Sequence, residues 1–182
     1  MPCCHFIHPY VEALQQLRDD GLRAADVASV RCHVPPGAAP IIADPWPARQ
    51  HPAQPHDARW SLPYVLAGVL VDGEVTLELF EEPVGGERLR IAGLMEHVAW
   101  PDSGFPARFP ARLEVETLDG RTLHAEVDDV RGGPSRPCSR DEVVAKALAN
   151  LTGAGLTAEA AADVVAEMLD AEVPDLASSR LF

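Results

Sequence analysis

Lysine is almost absent from this chain. Lys146 is the single lysine among 15 basic residues, and the others are arginines. Chemistry that runs through an amine, such as a Schiff base or a lysine general base, has almost no candidate here. Positive charge is scarce as well. Twenty-eight acidic residues against 15 basic ones leave a net charge of −13. Without a basic stripe the chain has no electrostatic grip on a phosphate backbone, so nucleic acid is not an expected partner. A polyanionic substrate would have to find cations from elsewhere. Long apolar runs are missing too. Leu62 to Val71 is the longest, and a membrane-spanning helix needs about 20 residues. The opening MPCCHFIHPY has neither a basic start nor a continuous apolar core, so no secretory signal is read there. The four cysteines, Cys3, Cys4, Cys32 and Cys138, have no disulfide-framework spacing. The expected setting is reduced and cytoplasmic, with no membrane partner.

Several site signatures are also missing. No glycine-rich loop suits a phosphate, and Gly85-Gly86 and Gly132-Gly133 read as turns. No serine stands in a nucleophile-elbow context. The densest cluster of potential ligands is Cys3-Cys4-His5-Phe6-Ile7-His8. A structural zinc site needs about four ligands, usually as two spaced pairs. A second pair could come only from Cys32-His33 or Cys138, and neither spacing fits. No metal is therefore expected, and Cys3 and Cys4 read as small buried hydrophobes. His33, His51, His56, His97 and His124 have no partners at informative spacing. Glu81, Glu82 and Glu87 read as a solvated face.

What is present is an ordinary globular composition: 182 residues, 47% apolar and 24% charged. The predicted fold class is α+β, an antiparallel sheet of three or four strands with helices. Residues 9–20 read as an amphipathic helix with Pro9 in its first turn and Gly21 as its stop. Residues 27–34 alternate as a strand. Residues 35–63 hold eight of the 17 prolines and read as a long ordered loop, unable to form a regular helix or a central strand. Ser61 caps a helix running to about Val71, apolar on most sides and so buried. A weaker helical stretch spans roughly 87–95. Residues 111–118 and 121–128 alternate around Asp119-Gly120, a hairpin signal expected to close in a type I′ turn. Ser139-Arg140-Asp141-Glu142 is a capping box opening one helix, and Thr157 opens another. The reading is an α+β body at 1–133 and a helical segment at 139–182.

Two places carry chemistry. His8 falls at a helix start, where free amides attract anions and an imidazole can move a proton near neutral pH. Its plainer role is a cap or a surface histidine. The second place is Asp57-Ala58-Arg59-Trp60-Ser61-Leu62-Pro63-Tyr64. Tyr64 lies in the first helical turn, where a phenol can serve as donor or general acid, or simply pack its ring in the core. Arg59 can clamp a carboxylate with two hydrogen bonds, or pair with Asp57. Since His8 and Tyr64 each open a helix, they are expected to share one cleft.

Taken in order, PCCHFIHPYVEAL, VRCHVPPGAAPII, ARWSLPYVLAGVLVDGEV, FPARLEVETLDGRTLHAEV and SRDEVVAKALANL resemble the C-terminal half of the MmgE/PrpD family. Members include 2-methylcitrate dehydratase, cis-aconitate decarboxylase and iminodisuccinate epimerase. The resemblance implies homodimers that use no metal or organic cofactor. It also implies an active site between a large helical domain and a smaller α+β lid. Residues 1–133 would be the lid, and 139–182 helices that pack on the helical domain. His8 matches the histidine of the lid-opening motif, and Tyr64 the active-site tyrosine. Arg59 and Ser61 lie in the same motif and would line the substrate site. The family's lysine just upstream of Pro-Cys-Cys has no counterpart in the sequence, nor do the helical domain's histidine and lysine. The expected function is thus half of an enzyme that abstracts a proton from a small di- or tricarboxylate. The N-terminal helical half would be its partner. The favoured reaction is dehydration of the 2-methylcitrate dehydratase type. An iminodisuccinate epimerase-like isomerase and a non-catalytic lid fragment are the alternatives.

Overall fold

The computed structural model describes residues 1–81 and 84–170. The chain divides into two compact units, Met1–Arg136 and a second beginning at Pro137. In the first unit, helix α1 (His8–Asp19) opens with Pro9 and buries Tyr10, Val11, Ala13, Leu14 and Leu17 along one face. A proline costs nothing there because that amide has no intrahelical partner. The chain turns at Gly21, where φ is +106°, and enters strand β1 (Val27–Val34).

The proline-rich stretch is ordered, as its apolar residues suggest, but it is not simply a loop. It holds three helices of about one turn: α2 (Ala39–Ile42), α3 (Trp46–Gln50) and α4 (Pro55–Ala58), each with a proline in its first two positions. Prolines that forbid long helices still suit helix starts, so they divide the segment into single turns. Helix α5 (Leu62–Asp72) follows, with every residue from Leu62 to Leu70 buried. It ends at Gly73, whose φ of +99° is the left-handed cap conformation. Arg18 donates to the Gly73 carbonyl at 2.6 Å and so ties the ends of α1 and α5 together.

Helix α6 (Gly86–Ala92) is shorter than the predicted stretch, because the chain leaves it for strand β2 (Met95–Ala99). β2 escaped the sequence reading because its five residues do not alternate in burial. It lies at the sheet edge beside β1, and the two run parallel. Strands β3 (Ala111–Thr117) and β4 (Thr122–Val127) complete the order β2-β1-β3-β4, with antiparallel pairing from β1 to β4. The sheet is therefore mixed rather than purely antiparallel. A parallel neighbour needs a long crossover, and residues 35–94 supply it.

The hairpin stands where it was predicted, but its turn is different. Gly120 has φ +84°, and no non-glycine residue among those described has positive φ, which excludes type I′. Gly120 N donates to Thr117 O, and Thr117 N to Arg121 O. That is the three-residue loop in which a left-handed glycine follows an ordinary turn.

Val30, Cys32, Leu113, Val115 and Val127 fill the buried face of the sheet, against which α1 packs. The opposite face is a ladder of charge. Arg31 bridges Glu96 and Glu114 at 2.8 and 3.1 Å, and His33 reaches Glu114 at 3.0 Å. Partial burial works against the charge on Glu114, but hydrogen bonds from His33 and Arg31 outweigh it and hold the carboxyl below its usual range. Past β4, Asp129 accepts from the Phe109 and Val130 amides, both at 2.9 Å, and from the Ser135 hydroxyl. Arg136 then pairs with Glu12 of α1 at 2.6 Å.

In the second unit, Ser139 and Glu142 form the predicted capping box at the start of α7 (Arg140–Gly153). Thr157 caps α8 (Ala158–Asp170). None of α7's residues is buried, and Val143 is 55% exposed. Residues 171–182 of the expected helical segment lie outside the described residues. Among the described residues, no helix is long and apolar enough to cross a membrane.

Asp129 gives a test of the first unit. The Phe109 amide, then the Ser135 hydroxyl, favour its charged form and lower its pKa. That stabilisation is complete above the pKa of an unfolded aspartate, about 3.9. It is lost as pH falls through the lowered folded value. Asp129→Ala should cost about 1–3 kcal/mol in urea unfolding at pH 7 and flatten the loss of stability below about pH 4. An acid transition unchanged in the variant would show that Asp129 does not carry it.

Candidate active site

The site is built where the N-terminal segment crosses the end of the proline-rich stretch. Cys4 N donates to Arg59 O at 2.9 Å. That bond pins residues 2–6 against the α4–α5 junction and leaves an open cavity of about 520 Å³ between them. One wall is the segment 2–6, and the other is Ile41, His56, Arg59 and Trp60. Behind the first wall lies an aromatic cluster. Phe6 stacks on Phe109 at 5.3 Å, with Phe105 edge-on to both at 5.5 Å.

Arg59 belongs to this cavity. Its guanidinium carbon lies 5.3 Å from the centre of the Phe80 ring, and among the described residues no carboxylate pairs with it. The expected alternative, an ion pair with Asp57, is not formed. Arg59 therefore keeps its charge and its donors available for a ligand.

Ser61 sits directly behind. It is fully buried, and its hydroxyl is engaged twice, donating to Arg49 O and accepting from Tyr64 N at 3.1 Å. The residue caps α5 and fixes the direction in which the chain enters it.

Tyr64 is fully buried, and its hydroxyl has no hydrogen-bond partner among the described residues. His8 is partly exposed at the start of α1. Its Nε2 lies 3.2 Å from the Cys3 carbonyl oxygen, to which it donates, and its ring meets that of His5 edge-on at 5.4 Å. Neither Tyr64 nor His8 lines the cavity, and no hydrogen bond joins them. The structure thus brings Arg59 into a cavity with the segment 2–6, places Ser61 beneath it, and encloses the Tyr64 hydroxyl.

Burial pushes the Cys3 thiol up to about 12 and raises that of Cys4. Both remain protonated at neutral pH and are poor nucleophiles or metal ligands. No group of three or more His, Cys, Asp or Glu among the described residues is arranged to hold a metal.

The sequence reading missed the roles of His56, Ile41 and the segment 2–6 as cavity walls. Their meeting depends on one backbone hydrogen bond between residues 55 positions apart (59 − 4), and no side-chain pattern announces that.

Residues 1–171 match the MmgE/PrpD C-terminal domain. The chain belongs to the MmgE/PrpD family. No curated protein matches the sequence. The match covers the whole first unit and the described residues of the second.

The two buried residues of the motif predict opposite responses. Ser61→Ala removes a cap and orphans the Arg49 carbonyl, so it should destabilise by about 1–2 kcal/mol. Tyr64→Phe removes a hydroxyl that makes no bond, so the chain's unfolding midpoint in urea should stay the same or rise. A clear fall for Tyr64→Phe would mean that the hydroxyl does have a partner.

Proposed function

We propose that this MmgE/PrpD C-terminal domain forms one wall of an active site that removes a proton beside a carboxylate. The reaction is a lyase-type dehydration of a small di- or tricarboxylate, of the kind 2-methylcitrate dehydratase performs. A helical domain of the same family, on the same polypeptide or another, supplies the other wall and the remaining cations, and the complete enzyme is a homodimer. The observation that carries the reading is Arg59, a guanidinium lining a cavity without a carboxylate partner among the described residues.

The roles follow from what each side chain can do chemically. Arg59 anchors one substrate carboxylate through a two-pronged hydrogen bond. His8, whose Nε2 donates to the Cys3 carbonyl, is the general base that takes the proton. Tyr64 is the acid for the leaving hydroxyl, and its phenol must be uncovered when substrate and helical domain are both in place. Ser61 positions the start of α5 rather than holding substrate, because both sides of its hydroxyl are occupied. The proposed chemistry calls for no metal or organic cofactor.

A second reading, a non-catalytic interaction module, is favoured by one observation: the Tyr64 hydroxyl is sealed from solvent. Turnover separates the two. With a helical domain bound, dehydration of hydroxy-tricarboxylates should be measurable by the absorbance of the unsaturated product. His8→Gln and Tyr64→Phe should each lower kcat by about 10²- to 10⁴-fold, as for the loss of a general acid or base. A complex that forms but turns over no carboxylate, or variants with undiminished kcat, would leave the interaction module as the function.

A further inference from the structure

We infer that His56 is the second anchor of the cavity between segment 2–6 and Arg59: the guanidinium holds one carboxylate, and the imidazole, protonated, holds another carboxylate of the same molecule. The inference rests on the reading of Arg59 as a carboxylate anchor and names the residue that makes the site prefer two carboxylates to one.

The first observation is the placement of the pair. Both residues line the cavity. His56 lies within α4, and Arg59 continues the helical conformation with φ −64° and ψ −20°. The Arg59 amide donates to the His56 carbonyl at 3.2 Å. Side chains three positions apart on a helical turn share one side, with their Cβ atoms about 5–6 Å apart. Two donors of charge-assisted hydrogen bonds therefore stand within reach of one small diacid. Asp57, one position from His56 and two from Arg59, faces neither by the same spacing rule.

The second observation is that both side chains are uncommitted. Among the described residues, neither the His56 imidazole nor the Arg59 guanidinium makes a hydrogen bond or an ion pair. The imidazoles nearby are engaged. His51 lies 3.4 Å from the Pro47 carbonyl oxygen, and His5, on the facing wall, is edge-on to His8 and Phe109 at 5.4 and 5.2 Å.

The third observation is the local charge. Among the described residues, no aspartate or glutamate lines the cavity. Arg49 donates to the carbonyls of Asp44 and Pro40, yet its charge reaches the wall and partly offsets the effect of burial on the Cys4 thiol. The amino group of Met1 acts on Cys3 in the same way. The turn Glu78–Phe80 packs against α4, and its one carboxylate, Glu78, accepts from the Thr76 hydroxyl at 2.9 Å. A second carboxylate entering here is desolvated and needs a partner of its own. His56 supplies that partner over the pH range in which an imidazole gains its charge.

The test is a binding titration of the full chain by calorimetry at pH 6 and pH 8 and fixed ionic strength. The probes are malate and 3-hydroxybutyrate, which has a methyl group where malate has its second carboxylate. At pH 6 malate should bind about tenfold more tightly than 3-hydroxybutyrate, as for one added charge-assisted hydrogen bond. At pH 8, where an imidazole is neutral, most of that preference should be gone. His56→Gln should remove the preference and its pH dependence together, and Arg59→Gln should abolish binding of both acids. Circular dichroism and thermal unfolding establish that the variants remain folded; neither side chain is buried. If binding depends on Arg59 but the preference is absent, survives His56→Gln, or is lost in His5→Gln instead, the inference fails while the carboxylate-anchor reading stands. If neither acid binds in an Arg59-dependent manner, both fail.

Discussion

A helix that is apolar on every side has nowhere to go but the interior, and α5 is such a helix. Its nine residues from Leu62 to Leu70 are all buried, and α1, α3 and α6 pack around it. Burial makes its N-terminus expensive, because amides without intrahelical partners cannot turn to water. Ser61 answers that cost. Its hydroxyl accepts from the Tyr64 amide and also holds the Arg49 carbonyl, joining the start of α5 to the end of α3. The position of Arg59, two residues earlier, follows from where that cap must sit. The Cys4–Arg59 backbone bond then brings the N-terminal segment across. The candidate site is thus a by-product of terminating a buried helix correctly.

The same economy governs the arginines. Most of those in the first unit are committed. Arg31 and Arg112 neutralise carboxylates on the outer face of the sheet, Arg136 fastens the chain to α1, and Arg18 closes the far end of α5. Exposed ion pairs add little stability. They do remove those guanidinium groups from competition for an anion. Arg59 differs in being set against an aromatic ring, with no carboxylate partner among the described residues.

Local signals in the sequence were strong and were met. β1, the hairpin strands, the Ser61 cap and the Ser139–Glu142 capping box each depend on residues within a few positions of one another. The features that escaped depend on distant partners. β2 is a strand because β1 offers it an edge, not because Met95–Ala99 alternates. The Asp119-Gly120 dipeptide marked the turn, but its type is settled by the Thr117–Arg121 pairing. At the site, the motif around Arg59 and Tyr64 was legible, whereas the partition of roles within it was not. Whether a hydroxyl faces a cavity or a neighbouring carbonyl is decided by packing. Ser61 and Tyr64, both polar and three positions apart, end up respectively doubly bonded and unbonded.

A chain carrying −13 is a strange host for acids only if charge is counted globally. At physiological ionic strength the Debye length is about 8 Å, so most of the surface carboxylates are screened from a ligand in the cavity. What the ligand meets is the unneutralised Arg59 at hydrogen-bond range, where solvent is partly excluded and the effective dielectric is lower. The long-range field then lowers the rate of encounter and weighs more heavily on multiply charged ligands. The short-range contacts set whether the ligand stays. An acidic protein with one well-placed arginine can therefore hold an acid at short range despite its overall charge.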